Sequence, residues 1–362
     1  MDINKVLFIS QEIAPYLADT PTTVFNRDLP QGIQEHGAEV RTFMPKYGKI
    51  NERRNQLHEV IRLSGMNLII DDSDHPLIIK VATLQPARMQ VYFIYNDDYF
   101  VNNLAKVLET ESSKDDNDER SIFFVRGVIE TVRKLRWIPS VIQCGGWITA
   151  LAPMYMRQIY SDDPSFRDAK IVYALYADDF DQPLDERLAD KLLQDGIPAE
   201  CLSAIQGKAV DSLMLTQLAL DHADAVIQCS PNVRPEVLEL VEKSGLPFLP
   251  YPGGPYYADA EGNVVSDEQY QAIVDTREAA KEELEAWEAK KAKYNGQIDV
   301  LLDQLDELGD DGDPEKRQQI DDAIAGIRHA IDTEAPQVPA LPTLVNNKAQ
   351  YVEPIYEFYK SL

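Results

Sequence analysis

The sequence predicts an α/β fold built on a doubly wound, mainly parallel sheet. Three observations carry this reading. Short apolar, β-branched runs recur along the chain. Segments of helical periodicity separate them. The first two runs flank a single helical stretch, which makes a β-α-β unit and with it a parallel pair.

The elements follow in order. KVLFIS (5–10) reads as a buried strand and QEIAPY (11–16) as a turn. The next helical stretch closes on Leu29-Pro30-Gln31-Gly32-Ile33-Gln34-Glu35-His36-Gly37, with Gly37 as its stop, and EVRTFMP (39–45) is the second strand. In residues 57–95, LHEVIRLSG, NLIID, PLIIKVATLQ and QVYFIY predict a small antiparallel meander. Gly65, Asp71-Asp72-Ser73-Asp74 and Gln85-Pro86 punctuate it. Residues 116–136 open with acids and close with bases, as a helix dipole favours. PSVIQC (139–144), AKIVYALY (169–176) and ADAVIQCS (223–230) then predict strands. WITALAPMYMRQIY (147–160), LTQLALDHA (215–223) and PNVRPEVLELVEKSG (231–245) predict helices.

Length and charge narrow the classes of function. At 362 residues the chain holds one large domain with an appendage, or two modest ones. A net charge of −26 argues against nucleic acid and anionic membrane as partners, because both would repel it. No apolar run reaches the length of a membrane span, and Lys5-Val6-Leu7-Phe8-Ile9 is too short for a signal peptide. Cys144, Cys201 and Cys229 are widely spaced and odd in number, as for reduced thiols in a cytoplasmic protein.

Residues 258–335 differ in kind, with 22 acidic and 8 basic residues. From Asp267 to Leu308 a stripe runs through Ile273, Ala280, Leu284, Trp287, Tyr294, Ile298, Leu301, Leu305 and Leu308, and Arg277 and Lys291 sit on it. Ile320, Ala323, Ile324, Ile327 and Ile331 form a second stripe beyond the Gly309–Asp313 break, with Pro314 placed for a first helical turn. The expectation is an antiparallel, coiled-coil-like hairpin over 266–332, which Asn295-Gly296 could kink or split. A proline-rich linker (335–342) and an aromatic terminal helix (351–362) complete the chain. The domain boundaries are therefore 1–257 plus 343–362 for the sheet domain, and 258–342 for the insertion and linker.

The dispersed segments together resemble the N-terminal half of bacterial glycogen synthases and starch synthases, over roughly residues 3–250. They are KVLFIS-QEIAPY, VYFIYNDDYF (91–100), DNDERSIFFVRGVIETVRKLRW (116–137), TALAPMYM (149–156) and HADAVIQCSP (222–231). The resemblance implies one lobe of a GT-B glycosyltransferase and glucosyl transfer from ADP-glucose or UDP-glucose. It also exposes departures. Where the family carries K-T-G-G-L-A-D, this chain reads Ala18, Asp19, Thr20, Pro21, Thr22, Thr23, Val24. The lysine and the glycine pair that let backbone N–H groups approach a phosphate are gone. The family's V-[VI]-H-C-H-D-W is VIQCGGW (141–147), with Gln143, Gly145 and Gly146 in place of two histidines and the aspartate. The family's I-H-N is Leu175-Tyr176-Ala177.

Other candidates carry bland readings. Asp71-Asp72-Ser73-Asp74, Asp97-Asp98 and Asp178-Asp179-Phe180-Asp181 resemble D-x-D metal motifs but read as solvated loop tips, with Asp178 and Asp179 nearest a cleft edge. The Gly309–Asp313 turn lacks calcium-loop spacing. None of His36, His58, His75, His222 and His329 has a sequence partner at ligand or triad spacing. No P-loop, G-x-S-x-G or G-x-G-x-x-G is present. No metal, cofactor or catalytic residue is assigned.

The expectation is a glycogen/starch-synthase-like protein without autonomous transfer. The resemblance implies that a second, nucleotide-gripping domain is needed, whereas the residues after Tyr251 spell a hairpin. Substrate contacts, if retained, fall on Tyr16, Asp19, Thr20, Gly145, Gly146, Trp147, Tyr176, Asp178 and Asp179. Tyr16, Trp147, Tyr155 and Tyr176 could stack on glucan. A protein partner would use the hairpin, and a nucleotide sugar or glucan the cleft. The alternatives are a transferase completed by a partner chain, and a glucan-binding module.

Overall fold

The computed structural model describes residues 3–101, 116–180, 182–309, 313–336 and 338–362. Asp181, Gln337 and the Asp310–Gly312 part of the acidic turn therefore lie outside the described residues. The chain forms two compact units, Met1–Tyr256 with Leu344–Leu362, and Tyr257–Thr343.

The first unit is a ten-stranded mixed sheet. Its strands are β1 (Lys5–Ser10), β2 (Glu39–Pro45), β3 (His58–Glu59), β4 (Met66–Ile70), β5 (Ser73–Leu84), β6 (Met89–Tyr95), β7 (Val141–Gly145), β8 (Lys170–Leu175), β9 (Ala225–Gln228) and β10 (Phe248–Leu249). The order is β10-β9-β8-β7-β1-β2-β6-β5-β3, with β4 on β5. Pairs from β10 through β6 are parallel, whereas β5 meets β6, β3 and β4 antiparallel. The chain builds outward from β1 through β2 and β6, then returns to β1's other side with β7. The switch point, where open α/β sheets bind ligands, is the crevice between the C-terminal ends of β1 and β7. Buried residues such as Val6, Leu7, Ile142, Ile171 and Val226 make these central strands near-continuous apolar runs. Of the predicted meander, LHEVIRLSG contributes only the two-residue β3. The rest is a loop whose Val60 N–H donates to Ile79 O at 2.8 Å and whose Ser64 Oγ accepts the Ile79 N–H at 3.0 Å.

Helices cover both faces: α1 (Pro21–Glu35), α2 (Asn117–Leu135), α3 (Ala152–Gln158), α4 (Leu188–Gln194), α5 (Ala199–Leu202), α6 (Ser212–Leu220), α7 (Pro235–Ser244) and, from the chain's end, α11 (Lys348–Ser361). The terminal helix docks on α1 as the aromatic pattern predicts. Phe25 stacks on Tyr351 at 4.8 Å, and a Cβ on Gly32 would lie 2.5 Å from Val352 Cγ1. Only glycine lets the two helices approach so closely.

Beyond Tyr256, residues Tyr257 and Ala258 of β11 (Tyr256–Ala258) pair antiparallel with β12 (Val264–Val265). With β13 (Thr343–Val345) they form a small sheet, β12-β11-β13, that the sequence pattern does not foretell. Ser266 and Gln269 cap α8 (Asp267–Ala279) reciprocally. Helices α9 (Lys281–Leu308) and α10 (Pro314–Glu334) make the hairpin, burying Trp287, Ile298 and Ile324 along the predicted seam. The break falls at Ala280. Asn295-Gly296 lies inside an uninterrupted helix, since one glycine costs only about 1 kcal/mol and the seam spans it.

Candidate functional site

The loops after β1, β7 and β8 converge at the switch point, and the first has a glutamine aimed inward. Gln11 donates its backbone N–H to Gly145 O at 3.2 Å, and its side-chain Oε1 is buried without a hydrogen-bond partner. Gly146 has φ +94°, and a Cβ there would stand 2.8 Å from both Gln11 Cβ and Oε1. Asp178 Oδ2 lies 3.4 Å from that same point and accepts the Trp147 N–H at 2.6 Å. The carboxylate thus occupies space beside the position where the family carries its aspartate, but it arrives from β8 rather than β7. Burial pushes the Asp178 carboxyl up to about 6, against the Trp147 N–H, which favours the charged form. Its neighbour Asp179 is committed to an ion pair with Arg234 at 2.6 Å, and Arg234 also donates to Ser212 at 2.8 Å.

Gly145 and Tyr176 are matched in volume. The tyrosine ring lies so close over the glycine that an added Cβ would meet Tyr176 Cε2 at 2.9 Å. Tyr176 donates its hydroxyl to Asn26 Oδ1 at 2.6 Å, and Asn26 in turn donates to Glu12 O at 2.9 Å. Burial raises this phenol well above its ordinary range, so it serves as a neutral donor. Gln143 accepts a hydrogen bond from Tyr359 of α11. Two of the substituted pocket positions are thus absorbed into internal packing.

The remaining sequence candidates separate. Thr20 caps α1: its Oγ1 accepts from Thr23 N at 3.1 Å, and Thr23 Oγ1 accepts from Thr20 N at 2.8 Å. With Pro21 at the first helical position, the segment that is phosphate-binding in the family is here a closed helix start. Asp19 is exposed beside it. Tyr16 packs edge-on against Phe93 at 4.8 Å, and Trp147 against Phe180 at 5.6 Å. Residues Tyr16, Trp147, Tyr155 and Tyr176 are only 7%, 9%, 1% and 6% exposed, so none presents a ring face for stacking on a sugar as the chain stands.

His75 gathers partners from separate segments of the chain. Its Nε2 lies 2.8 Å from Ser73 Oγ and 2.9 Å from Tyr99 Oη, and its Nδ1 lies 3.1 Å from Asp98 Oδ2. The Tyr99 hydroxyl donates to Glu119 at 2.9 Å and Ser73 Oγ to Ile70 O at 3.3 Å. Through these contacts the imidazole ties β5 to the segment after β6. Lys191 was also invisible in sequence. It is buried and bonds Asp118 at 2.7 Å, Glu119 at 2.8 Å and Asp185 at 3.3 Å. Those carboxylates raise its affinity for the proton, which makes it a structural ion cluster beneath α2. Among the described residues, no three of His, Cys, Asp and Glu gather at metal-binding spacing. None of their helices is long and apolar enough to cross a membrane.

The crevice therefore offers acceptors, Gln11 Oε1 and Asp178, while Arg234, which reaches the neighbouring Asp179, is held by that carboxylate. Acceptors suit hydroxyl donors and not a diphosphate.

Comparison with known proteins places this geometry. A profile of the starch synthase catalytic domain matches residues 5–247. Glycogen synthases of Pelodictyon phaeoclathratiforme and Chlorobium limicola are each 33% identical over 235 residues, covering 65% of this chain and 47% of theirs. The chain spans about half the length of these curated relatives. The catalytic domain of starch synthase IV from Arabidopsis thaliana, solved with ADP and acarbose, superposes with a TM-score of 0.57 at 16% identity. The match covers 78% of this chain and 59% of that one, which supports a shared fold. The chain belongs to the starch synthase catalytic domain family.

Proposed function

We propose that this chain is a glycogen/starch-synthase-type lobe that binds or scaffolds in glucan metabolism and does not itself transfer glucose, with its helical hairpin as the arm that meets a protein partner. One observation carries the reading. The position that should present a histidine to the sugar is Gly145, and the Tyr176 ring fills the space above it. Restoring a side chain there would collide with that ring, so the loss is built into the packing. The donors that would neutralise a departing diphosphate are missing as well. The α1 start is closed by Thr20 and Pro21, and Arg234 is paired. Glycosyl transfer from a nucleotide sugar draws its main transition-state stabilisation from positive charge preorganised at the leaving group, and the Arg234 guanidinium at this crevice is already paired with Asp179.

The test is incorporation of labelled glucose from ADP-glucose and from UDP-glucose into glycogen by the purified chain. No transfer is expected, and turnover without a second polypeptide would overturn the reading. Calorimetry with each nucleotide sugar and with a maltooligosaccharide separates a donor binder from a glucan binder. The acceptor-rich crevice favours the oligosaccharide.

A further inference from the structure

The α9–α10 hairpin is a pair of helices with one side unfilled. Two adjoining depressions run along a single edge of its seam, one floored by Gly296, Val300 and Ile327 and the next by Leu301, Leu308 and Ile320. They share Leu301 and together make a shallow groove, apolar around Val300 and mixed towards Leu308, where Gln304, Lys316 and Gln319 also line it. Val300 at its centre is 56% exposed.

We propose that this groove is the docking face for the same groove of a second copy of the chain, in an antiparallel two-fold arrangement centred on Val300. It rests on the reading of the hairpin as an interaction arm and names what the arm meets.

Charge selects the occupant. Lys293 and Glu307 line the groove seven residues to either side of Val300, on the same stripe of α9. In an antiparallel pair with Val300 on the axis, Lys293 of each copy faces Glu307 of the other, so the pattern complements itself at both ends. A two-fold interface requires this of any patch that meets its own image. Neither side chain has an ion-pair partner among the described residues of its own chain. A heterologous partner would have to copy this symmetry by chance.

A glycine on the groove supplies a second observation. Gly296 is interior to α9, and a Cβ there would meet nothing within 4 Å. It costs about 1 kcal/mol relative to alanine and relieves no contact within the hairpin. Bare backbone at such a point lets another helix approach closely. Under the two-fold register Gly296 faces Gln304, a long side chain from the opposite copy that uses the space. The buried seam residues Trp287, Ile298 and Ile324 keep their partners within the hairpin, so docking requires no refolding.

Sedimentation equilibrium of the full chain at physiological salt tests the proposal, where screening limits repulsion between two strongly acidic molecules. A reversible dimer is expected at micromolar concentration. Val300→Glu should leave only monomer. Lys293→Glu and Glu307→Lys should each weaken self-association by about tenfold, whereas mixing these two variants should restore a heterodimer, because opposite charges then meet at both ends. All three positions are exposed or on the groove rim, and circular dichroism verifies that the helices persist. A wild-type monomer across the range would overturn the proposal. So would a dimer indifferent to Val300→Glu, or a mixture no tighter than either variant alone. A basic helical peptide captured by a monomeric chain would also overturn it. Failure here leaves the non-transferring reading intact, since labelled glucose decides that separately.

Discussion

Gly146 shows what single positions at the switch point demand. Its φ of +94° and the 2.8 Å approach to Gln11 exclude any side chain. Gly146→Ala should therefore cost about 2 kcal/mol or more in chemical denaturation, and a neutral substitution would show the loop to be looser than described. Asp178 gives a pH signature. Its folded carboxyl titrates near 6, above the ordinary 3.8, so between those values the folded chain holds a proton that the unfolded chain releases. Stability should fall as pH rises through that window and stay lower above it. Asp178→Asn, which can still accept the Trp147 N–H, should abolish the fall. Denaturant midpoints measured from pH 4 to pH 7 decide this, and parallel curves for the two proteins would contradict it. At this scale the sequence was half legible. The replaced positions Gln143, Gly145, Gly146 and Tyr176 could be read by motif. That Tyr176 covers Gly145, that Tyr359 binds Gln143, and that His75 gathers Ser73, Asp98 and Tyr99 could not. Those contacts join residues that only the folded sheet brings together.

Among the elements, α11 is the one most exposed to test. It is held on α1 by the Phe25–Tyr351 stack, by Val352 over Gly32, and by His36, whose Nε2 meets Glu353 at 2.9 Å. Tyr351→Ala should destabilise the first unit by about 3 kcal/mol or more. The His36 pKa is raised, chiefly by the Gly32 carbonyl and then by Glu353. A raised value means that its contribution is complete below about 6.5 and is lost as pH rises through the folded pKa. Because the ring is partly solvated, the effect is a fraction of a kcal/mol. Amide exchange in α11 should quicken modestly on raising pH from 6 to 8, beyond the intrinsic chemical change, and His36→Gln should remove that excess. Equal excesses in both proteins would rule out this role. Helix and strand positions were readable from periodicity because burial enforces it, as in β1, α2 and α9. The break at Ala280 and the collapse of LHEVIRLSG to two residues of strand were not, since backbone geometry and edge pairing decide them.

For the whole molecule, the division into two units predicts separability. Strands β11 and β13 are neighbours in the small sheet, so the chain leaves and re-enters the first unit through adjacent strands. Joining Ala258 to Thr343 through a short glycine-serine linker should leave the first unit folded, with a melting temperature within about 4 °C of the full chain. Loss of cooperative melting would show that the hairpin contributes to the sheet domain's stability. In the sequence, residues 258–335 stand apart by their acidic excess and heptad stripes. The arrangement also sets an order of events during synthesis. A ribosome must deliver the entire hairpin before Tyr351 and Val352 emerge. Until then the surface of α1 around Phe25 and Gly32 stays uncovered, a sticky patch on an otherwise finished Rossmann-like body. The nascent protein therefore passes through an interval of exposure to aggregation, and the interval lasts as long as translation of the inserted arm.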